Sequence, residues 1–179
     1  MPSVRQLAST LAGDDTCSTT VAQRCFDWVR DNIKHSSDFQ LNPVTCRASD
    51  VLAYGTGYCY AKSHLLCGLL LRANQIPAGL CYQRLSVDGM GPPFCLHGMT
   101  AVLLPDIGWY RSDSGGNRDD VDAQFAPPTE QLAFRTSLPH EYDLPEIHSR
   151  PLTVIVDALH AHHTWDALLA NLPDVSPTS

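Results

Sequence analysis

The stretch from Tyr54 to Asn74, Tyr-Gly-Thr-Gly-Tyr-Cys-Tyr-Ala-Lys-Ser-His-Leu-Leu-Cys-Gly-Leu-Leu-Leu-Arg-Ala-Asn, constrains the fold more than any other part of the chain. Leu65, Leu66, Leu69, Leu70 and Ala73 recur at three- and four-residue intervals, which predicts a helix with one buried stripe about 15 residues long. Gly55 and Gly57 lack Cβ, so they allow a tight turn that swings the backbone close to a bound substrate and delivers Cys59 to the helix start. A thiol in that first turn faces unpaired backbone N–H groups and the positive end of the helix dipole. Both favour thiolate over thiol. The default for a free cysteine is a small buried hydrophobe. Cys59 stands apart from the other six because of the glycines before it, the helix after it and the residues downstream.

Asn74-Gln-Ile-Pro77 ends this helix, because the proline disfavours helical geometry at Ile76. Beyond it the period becomes that of strands. Residues 78–85 and 94–104 are rich in β-formers and are separated by two glycines and two prolines, which predicts a pair of antiparallel strands. Residues 105–108 form a turn, and residues 109–113 a third strand. Upstream, Val4, Leu7 and Leu11 mark a short helix. A second helix, capped within residues 18–20, carries Val21, Cys25, Trp28, Val29 and Ile33 on one side, with Cys25 in the core. Residues 35–47 are polar and aperiodic, a loop that could wall a cleft, and residues 49–54 give one or two helical turns. Residues 121–151 are irregular and hold Pro127, Pro128, Pro139 and Pro145; they read as an extended strap with one strand near residues 132–137. Pro151 opens a helix through Leu152, Ile155, Val156 and Leu159. Thr164 begins another, carrying Trp165, Leu168 and Leu169 and ending before Pro173.

A chain of 179 residues with 44% hydrophobic content can bury one sizeable core. A single domain over residues 1–179 is expected, with its core at about 45–125 and a C-terminal strap and helices over 126–173. The net charge of −7 and the scattered basic residues argue against nucleic acid or an anionic membrane as partner. No apolar run has signal-peptide or membrane-span length, so a soluble, cytoplasmic protein is expected. The seven cysteines form no compact disulfide framework and are read as reduced thiols. No feature of the sequence specifies an oligomer.

A thiol nucleophile needs a base within hydrogen-bond reach, and the base needs a group that fixes its tautomer. His97 lies on the second predicted strand and Asp113 on the third, and the turn between them brings the two side chains together across a hairpin. Cys59, His97 and Asp113 are the candidate catalytic residues.

These residues resemble the transglutaminase-like superfamily of cysteine enzymes, related in architecture to papain-like proteases. Gly57-Tyr-Cys59 before a helix is similar to the family's nucleophile motif. Leu71-Arg-Ala-Asn-Gln-Ile-Pro-Ala78 resembles its helix exit, usually an arginine and alanine leading to Gly-Ile-Pro-Ala. His97 followed by Leu104-Pro-Asp-Ile-Gly-Trp-Tyr-Arg-Ser-Asp113 resembles its histidine strand, turn, tryptophan and aspartate. The resemblance covers about residues 45–125. Three positions depart from it: Met99 stands where the family often has tryptophan, Ala101 where it has glutamate, and Gly79 where arginine often follows the Pro-Ala. The resemblance implies an α+β fold with the nucleophile helix on an antiparallel sheet, a Cys-His-Asp triad, and acyl transfer from an amide, peptide or protein substrate through a thioester. Neither cofactor nor metal is called for. Water as acceptor gives a peptidase or deamidase, and a primary amine gives a cross-linker; the residues fit both.

The oxyanion would be met by the backbone N–H of Cys59 and one further donor. Papain-like enzymes use a glutamine six residues before the nucleophile, where this chain has Ala53; Tyr54, Gln40 or a tryptophan of the first helices are the candidates. Tyr58 and Tyr60 flank the nucleophile and either line the cleft or pack. Asn117 follows the aspartate closely and either contacts substrate or serves the turn. Arg111 shares strand parity with Asp113 and either pairs with it or lies on the surface.

Other patterns fail on their own spacing. Gly55-Thr-Gly57 lacks the third glycine of a dinucleotide fingerprint, since that position is Tyr60. Lys62-Ser63 lacks the glycines of a phosphate loop. Cys59, Cys81, Cys95 and His97 contain no Cys-x-x-Cys pair to anchor zinc, and Cys81 and Cys95 read as sheet-core thiols. His160, His162 and His163 read as a solvated helix end. Two other functions share the expected fold or triad: a peptide-binding module without turnover, and an acetyl transferase using a thioester cofactor. The latter would call for a longer chain and an Arg-Gly-Gly approach to the cysteine.

Overall fold

The structure, a computed structural model, describes residues 3–73 and 75–175. Asn74 of the expected helix exit, and Met1 and Pro2 at the chain start, lie outside these residues. Helix α1 (Val4–Ala12) opens with a capping box in which Ser3 and Gln6 satisfy each other's backbone N–H groups, typically worth about 1 kcal/mol. Helix α2 (Ser18–Asn32) buries Val21, Ala22, Cys25, Phe26 and Val29. Strand β1 (Lys34–His35) follows, then helix α3 (Ala48–Tyr54), strand β2 (Thr56–Gly57) and helix α4 (Cys59–Arg72).

Helix α4 is the axis of the molecule. The sequence predicts one buried stripe; instead Cys59, Tyr60, Ala61, Lys62, Ser63, Leu65, Leu66, Leu69 and Leu70 are all buried. The reason is that α1, α2 and α3 pack on one side of the helix while a sheet packs on the other. Each leucine so enclosed contributes about 2–3 kcal/mol of apolar burial. Past the helix end, Gln75 has φ 53, the left-handed region that glycine adopts most readily; this is the place where the resembling family usually carries glycine.

The sheet is built from β3 (Ala78–Ser86), β4 (Phe94–Leu104) and β5 (Gly108–Ser112), antiparallel and consecutive as expected. Its register sets His97 opposite Gln83 and Thr100 opposite Ser112. The third strand stops at Ser112, so Asp113 leaves the ladder rather than ending it. The strap differs from expectation as well. Residues 132–137 form no strand; a hairpin of β6 (Gln124–Ala126) and β7 (Thr129–Gln131) precedes them, and β8 (Tyr142–Asp143) pairs with the free edge of β3, giving the order β5-β4-β3-β8. Close packing of the strap on β3 depends on Gly79, where a Cβ would come within 2.5 Å of Ile147 and 3.0 Å of the His148 carbonyl. Helices α5 (Thr153–Ala161) and α6 (Trp165–Leu169) complete an α+β architecture. No helix among the described residues is long and apolar enough to cross a membrane.

Candidate active site

Helix α3 closes at Gly55, whose φ of 67 puts it in the left-handed region and whose N–H returns to the Val51 carbonyl. This is a glycine C-cap with a structural purpose. Thr56 and Gly57 then pair in parallel with Lys34 and His35. A Cβ at Gly57 would lie 3.1 Å from Ala61 and 3.2 Å from the Thr45 hydroxyl. The close approach that Gly57 allows is therefore to the side chains of Ala61 and Thr45, while Gly55 serves the left-handed turn and has no neighbour within 4 Å of its missing Cβ. The effect is to hold Cys59 at the first position of α4, with β1 alongside.

Cys59, His97 and Asp113 meet. The Cys59 sulfur accepts the Gly98 N–H at 3.4 Å, which places the neighbour of His97 against the thiol. His97 Nε2 is 2.7 Å from Asp113 Oδ2, leaving Nδ1 as the ring nitrogen free to serve the sulfur. Asp113 is completely buried, and its carboxylate also accepts the N–H groups of Gly115 (3.0 Å) and Ala133 (3.2 Å). Phe134 meets the His97 ring edge-on at 5.1 Å and limits its rotation.

The charges follow from these contacts. Burial alone would raise the Cys59 thiol, but the charge on His97 and hydrogen bonding to His35 and His97 bring it from 9.0 down to about 6. Burial also opposes a charge on His97, yet the Asp113 carboxylate and the Cys59 thiolate outweigh it and hold the imidazole well above its usual value. Asp113 is lowered despite its burial, because His97 and the two backbone N–H groups stabilise the anion. All three directions favour a thiolate on Cys59, an imidazolium on His97 and a carboxylate on Asp113. The contrast with other thiols is large: burial pushes Cys25, Cys81 and Cys95 each to about 12.

A second imidazole, that of His35, touches Cys59, although its stretch of sequence is aperiodic and predicts only a loop. His35 Nε2 accepts the backbone N–H of Cys59 at 3.2 Å. Its Nδ1 faces the Ser37 hydroxyl at 3.1 Å and Asp38 Oδ1 at 3.6 Å, and Arg118 holds the same Asp38 oxygen at 3.0 Å. The usable signal was Ser37-Asp38 two and three positions after a histidine; what brings His35 to Cys59 is a two-residue parallel bridge, too short to leave any period.

The cleft above these groups has a volume of about 240 Å³, and its wall includes His35, Asp38, Tyr58, Tyr60, Cys95 and His97. Tyr58 and Tyr60 thus line the cleft and also pack: their hydroxyls donate to the Trp165 and Leu96 carbonyls. Tyr54 does not line it. As the last residue of α3 it is 61% exposed. Asn117 does not reach it either, because its amide bonds the Ala123 backbone in both directions and so closes a loop. Gln40 is exposed and outside the cleft wall, and Trp28 packs against the core beneath α2. Arg111 pairs with Glu130 and Asp143 rather than with Asp113. Cys95 is not a sheet-core thiol but a cleft residue, whereas Cys81 is buried with Met99 and Ala101. No three histidine, cysteine or carboxylate side chains among the described residues are gathered to hold a metal; His160 and His163 are exposed.

Residues 5–114, more than half of the chain and all three of Cys59, His97 and Asp113 included, match the family model described as the transglutaminase-like superfamily. No curated protein sequence matches. Among solved structures, a candidate cysteine protease from Cytophaga hutchinsonii is similar at 21% identity and a TM-score of 0.47, over 63% of this chain and 36% of that one. The periplasmic domain of TgpA from Pseudomonas aeruginosa is similar at 19% identity and a TM-score of 0.44, over 62% of this chain and 41% of that one. The chain thus spans about two fifths of the length of these structures.

Proposed function

The chain belongs to the transglutaminase-like superfamily, and we propose that it is an acyl-transfer enzyme in which Cys59 attacks the carbonyl of a carboxamide or peptide. The observation that carries this reading is the side-chain hydrogen bond between Cys59 and His97 together with the 2.7 Å contact from His97 to the buried Asp113 carboxylate. In the first step the Cys59 sulfur forms a bond to the carbonyl carbon and the C=O π pair moves onto oxygen. Collapse of this intermediate reforms the C=O and breaks the C–N bond. His97 gives its proton to the leaving amine, so a thioester remains on Cys59. Water or a primary amine then attacks the thioester, His97 takes the proton from that nucleophile, and the thiolate is released. Asp113 keeps His97 turned toward the sulfur and stabilises its cationic form. Leu85, Val87, Phe134, Leu169 and Leu172 give the cleft an apolar wall, which suits the side chain of an acyl group that is not charged.

The test is to incubate the protein with a mixture of glutamine-containing and unmodified peptides and small amides, quench in acid, and measure the intact mass. An acyl adduct on Cys59 that hydroxylamine removes, and that His97→Ala does not form, is expected. Adding a primary amine distinguishes the two acceptors. Absence of any adduct from the wild-type protein across the mixture, or an adduct on another thiol, overturns the proposal.

A further inference from the structure

We infer that His35 is a second catalytic imidazole, whose Nε2–H joins the backbone N–H of Cys59 in receiving the oxyanion formed during acyl transfer. The inference rests on the acyl-transfer reading above and supplies the second oxyanion donor for it. His97 and Gly98 meet the Cys59 sulfur, and His35 meets both that sulfur and, at 3.2 Å, the Cys59 backbone nitrogen. An oxygen about 2.9 Å from each of two nitrogens at that separation lies to one side of the line joining them, so both N–H groups serve it by turning from each other toward the cleft.

The supports of His35 are those of a working imidazole. The β1–β2 bridge fixes its backbone opposite Gly57, and the Ser36 N–H bonds the Gly57 carbonyl at 3.1 Å. Ser37 and Asp38 hold its Nδ1, Arg118 holds Asp38, and the Tyr58 ring meets it edge-on at 5.3 Å. In the resting site the Cys59 N–H points at Nε2, so that nitrogen is an acceptor and the proton resides on Nδ1. A second proton turns Nε2 into a donor. The Cys59 N–H and the Nε2–H then both need an acceptor, and an anionic oxygen provides it.

The groups facing His35 favour that second proton on balance. Burial opposes it, and so do the Arg118 guanidinium behind Asp38 and the His97 imidazolium across the cleft. Asp38, held at about 2 by His35 and Arg118, and the Cys59 thiolate favour it and raise His35 above an ordinary histidine. Tyr58, raised by burial, stays neutral throughout, and Ser37 carries no charge. The covalent step is unchanged: the C=O π pair moves to oxygen, and the two N–H groups stabilise it without transferring a proton.

The experiment compares wild type, His35→Ala and His35→Gln in two reactions. One is acylation by p-nitrophenyl acetate, butyrate and hexanoate, which passes through an oxyanion. The other is alkylation of Cys59 by iodoacetamide, which does not. Each rate is taken on the plateau of that variant's own pH profile, so a change in thiolate fraction is removed. His35→Ala is expected to lower the limiting acylation rate by about 10²-fold or more, with KM and the limiting alkylation rate each within about threefold. His35→Gln, which offers an amide N–H that does not titrate, is expected to recover acylation to within about tenfold of wild type and to lose the decline that deprotonation of His35 imposes at alkaline pH. Equal losses of acylation and alkylation in His35→Ala, no loss of acylation, or a glutamine variant as slow as the alanine one each overturn the assignment. If wild type alkylates selectively at Cys59 but none of the three esters acylates it, the acyl-transfer reading itself fails, and His35 with it.

Discussion

His97 Nε2 lies 2.7 Å from Asp113 Oδ2, and the carboxylate is fully buried with two backbone N–H groups on it. An asparagine there keeps an acceptor but turns an N–H₂ toward groups that are themselves donors. Asp113→Asn is expected to lower kcat/KM by about 10³–10⁴-fold and to destabilise the fold by about 1–3 kcal/mol. Steady-state kinetics and urea unfolding read the two effects.

The same pair sets a pH window for stability. Asp113 is depressed from 3.8, so its contribution is present above that value and is lost as pH falls through its lower folded value. His97 is raised from 6.5, so its contribution is complete below that value and is lost as pH rises through its higher folded value. The pair therefore stabilises most between about pH 4 and 6.5. Unfolding free energies measured from pH 2 to 10 are expected to show this plateau in wild type and a flatter profile in Asp113→Asn.

Gly98 is where strand β4 touches the first turn of helix α4. A Cβ at this position would lie 3.0 Å from Tyr60 Cα and 3.2 Å from Tyr60 N. These are backbone atoms of the first turn of α4, which cannot yield as a flexible side chain would. Gly98→Ala is expected to cost about 1–3 kcal/mol and to slow Cys59 alkylation, because the N–H contact to the sulfur is displaced. Unchanged melting and alkylation would show that α4 tolerates the shift.

Much of this arrangement was legible in the sequence, and the reason is local. The turn and helix at Cys59, the strands at 78–86 and 94–104, and the meeting of His97 with Asp113 each follow from period, turn chemistry or hairpin geometry within one stretch of chain. His35 was not legible, since only a two-residue bridge to Thr56 and Gly57 carries it to the site. The strap differs from its expected form for a related reason. Prolines and polar residues leave no alternation over 121–151, so nothing local indicates that Tyr142–Asp143 pairs with β3 or that Leu132 packs with Cys81 and Met99. Nearness in sequence suggests Tyr54 and Asn117 for the site, but a helix end and a closed loop claim them.

Lys62 lies one turn after Cys59 with its side chain wholly buried, its ammonium donating to the carbonyls of Ile33 and Arg30 at the end of α2. Burial lowers it from 10.5 to about 8, with Asp113 and Asp38 partly resisting. Between those values the unfolded chain binds the proton that the folded one has released, so this residue's contribution to stability increases as pH rises from about 8 to 10.5. Lys62→Met is expected to remove that rise in pH-dependent unfolding measurements. It is also expected to lower activity, because the Ile33 carbonyl it releases is two residues from His35.

Arg84 and Asp174 form a two-pronged ion pair at 2.7 Å, and the guanidinium also covers the Phe94 ring at 4.2 Å. With the Leu96 N–H bonded to the Pro173 carbonyl at 2.8 Å, the pair fastens the segment that brings Leu169 and Leu172 to the cleft. Asp174→Ala leaves a largely buried guanidinium with one partner fewer, and a loss of about 1–3 kcal/mol is expected. Limited proteolysis is expected to cut near residues 165–175 sooner than in wild type. Equal cutting rates would detach this ion pair from the cleft wall.

The thiolate at Cys59 is the premise on which the chemistry turns. Its alkylation by iodoacetamide, followed by peptide mass mapping from pH 4 to 11, is expected to rise with a midpoint near 6, ahead of every buried thiol, and to shift upward by more than one unit in His97→Ala. A midpoint at or above the ordinary 9.0, unmoved by loss of His97, would mean that the sulfur and the imidazole do not act as a pair.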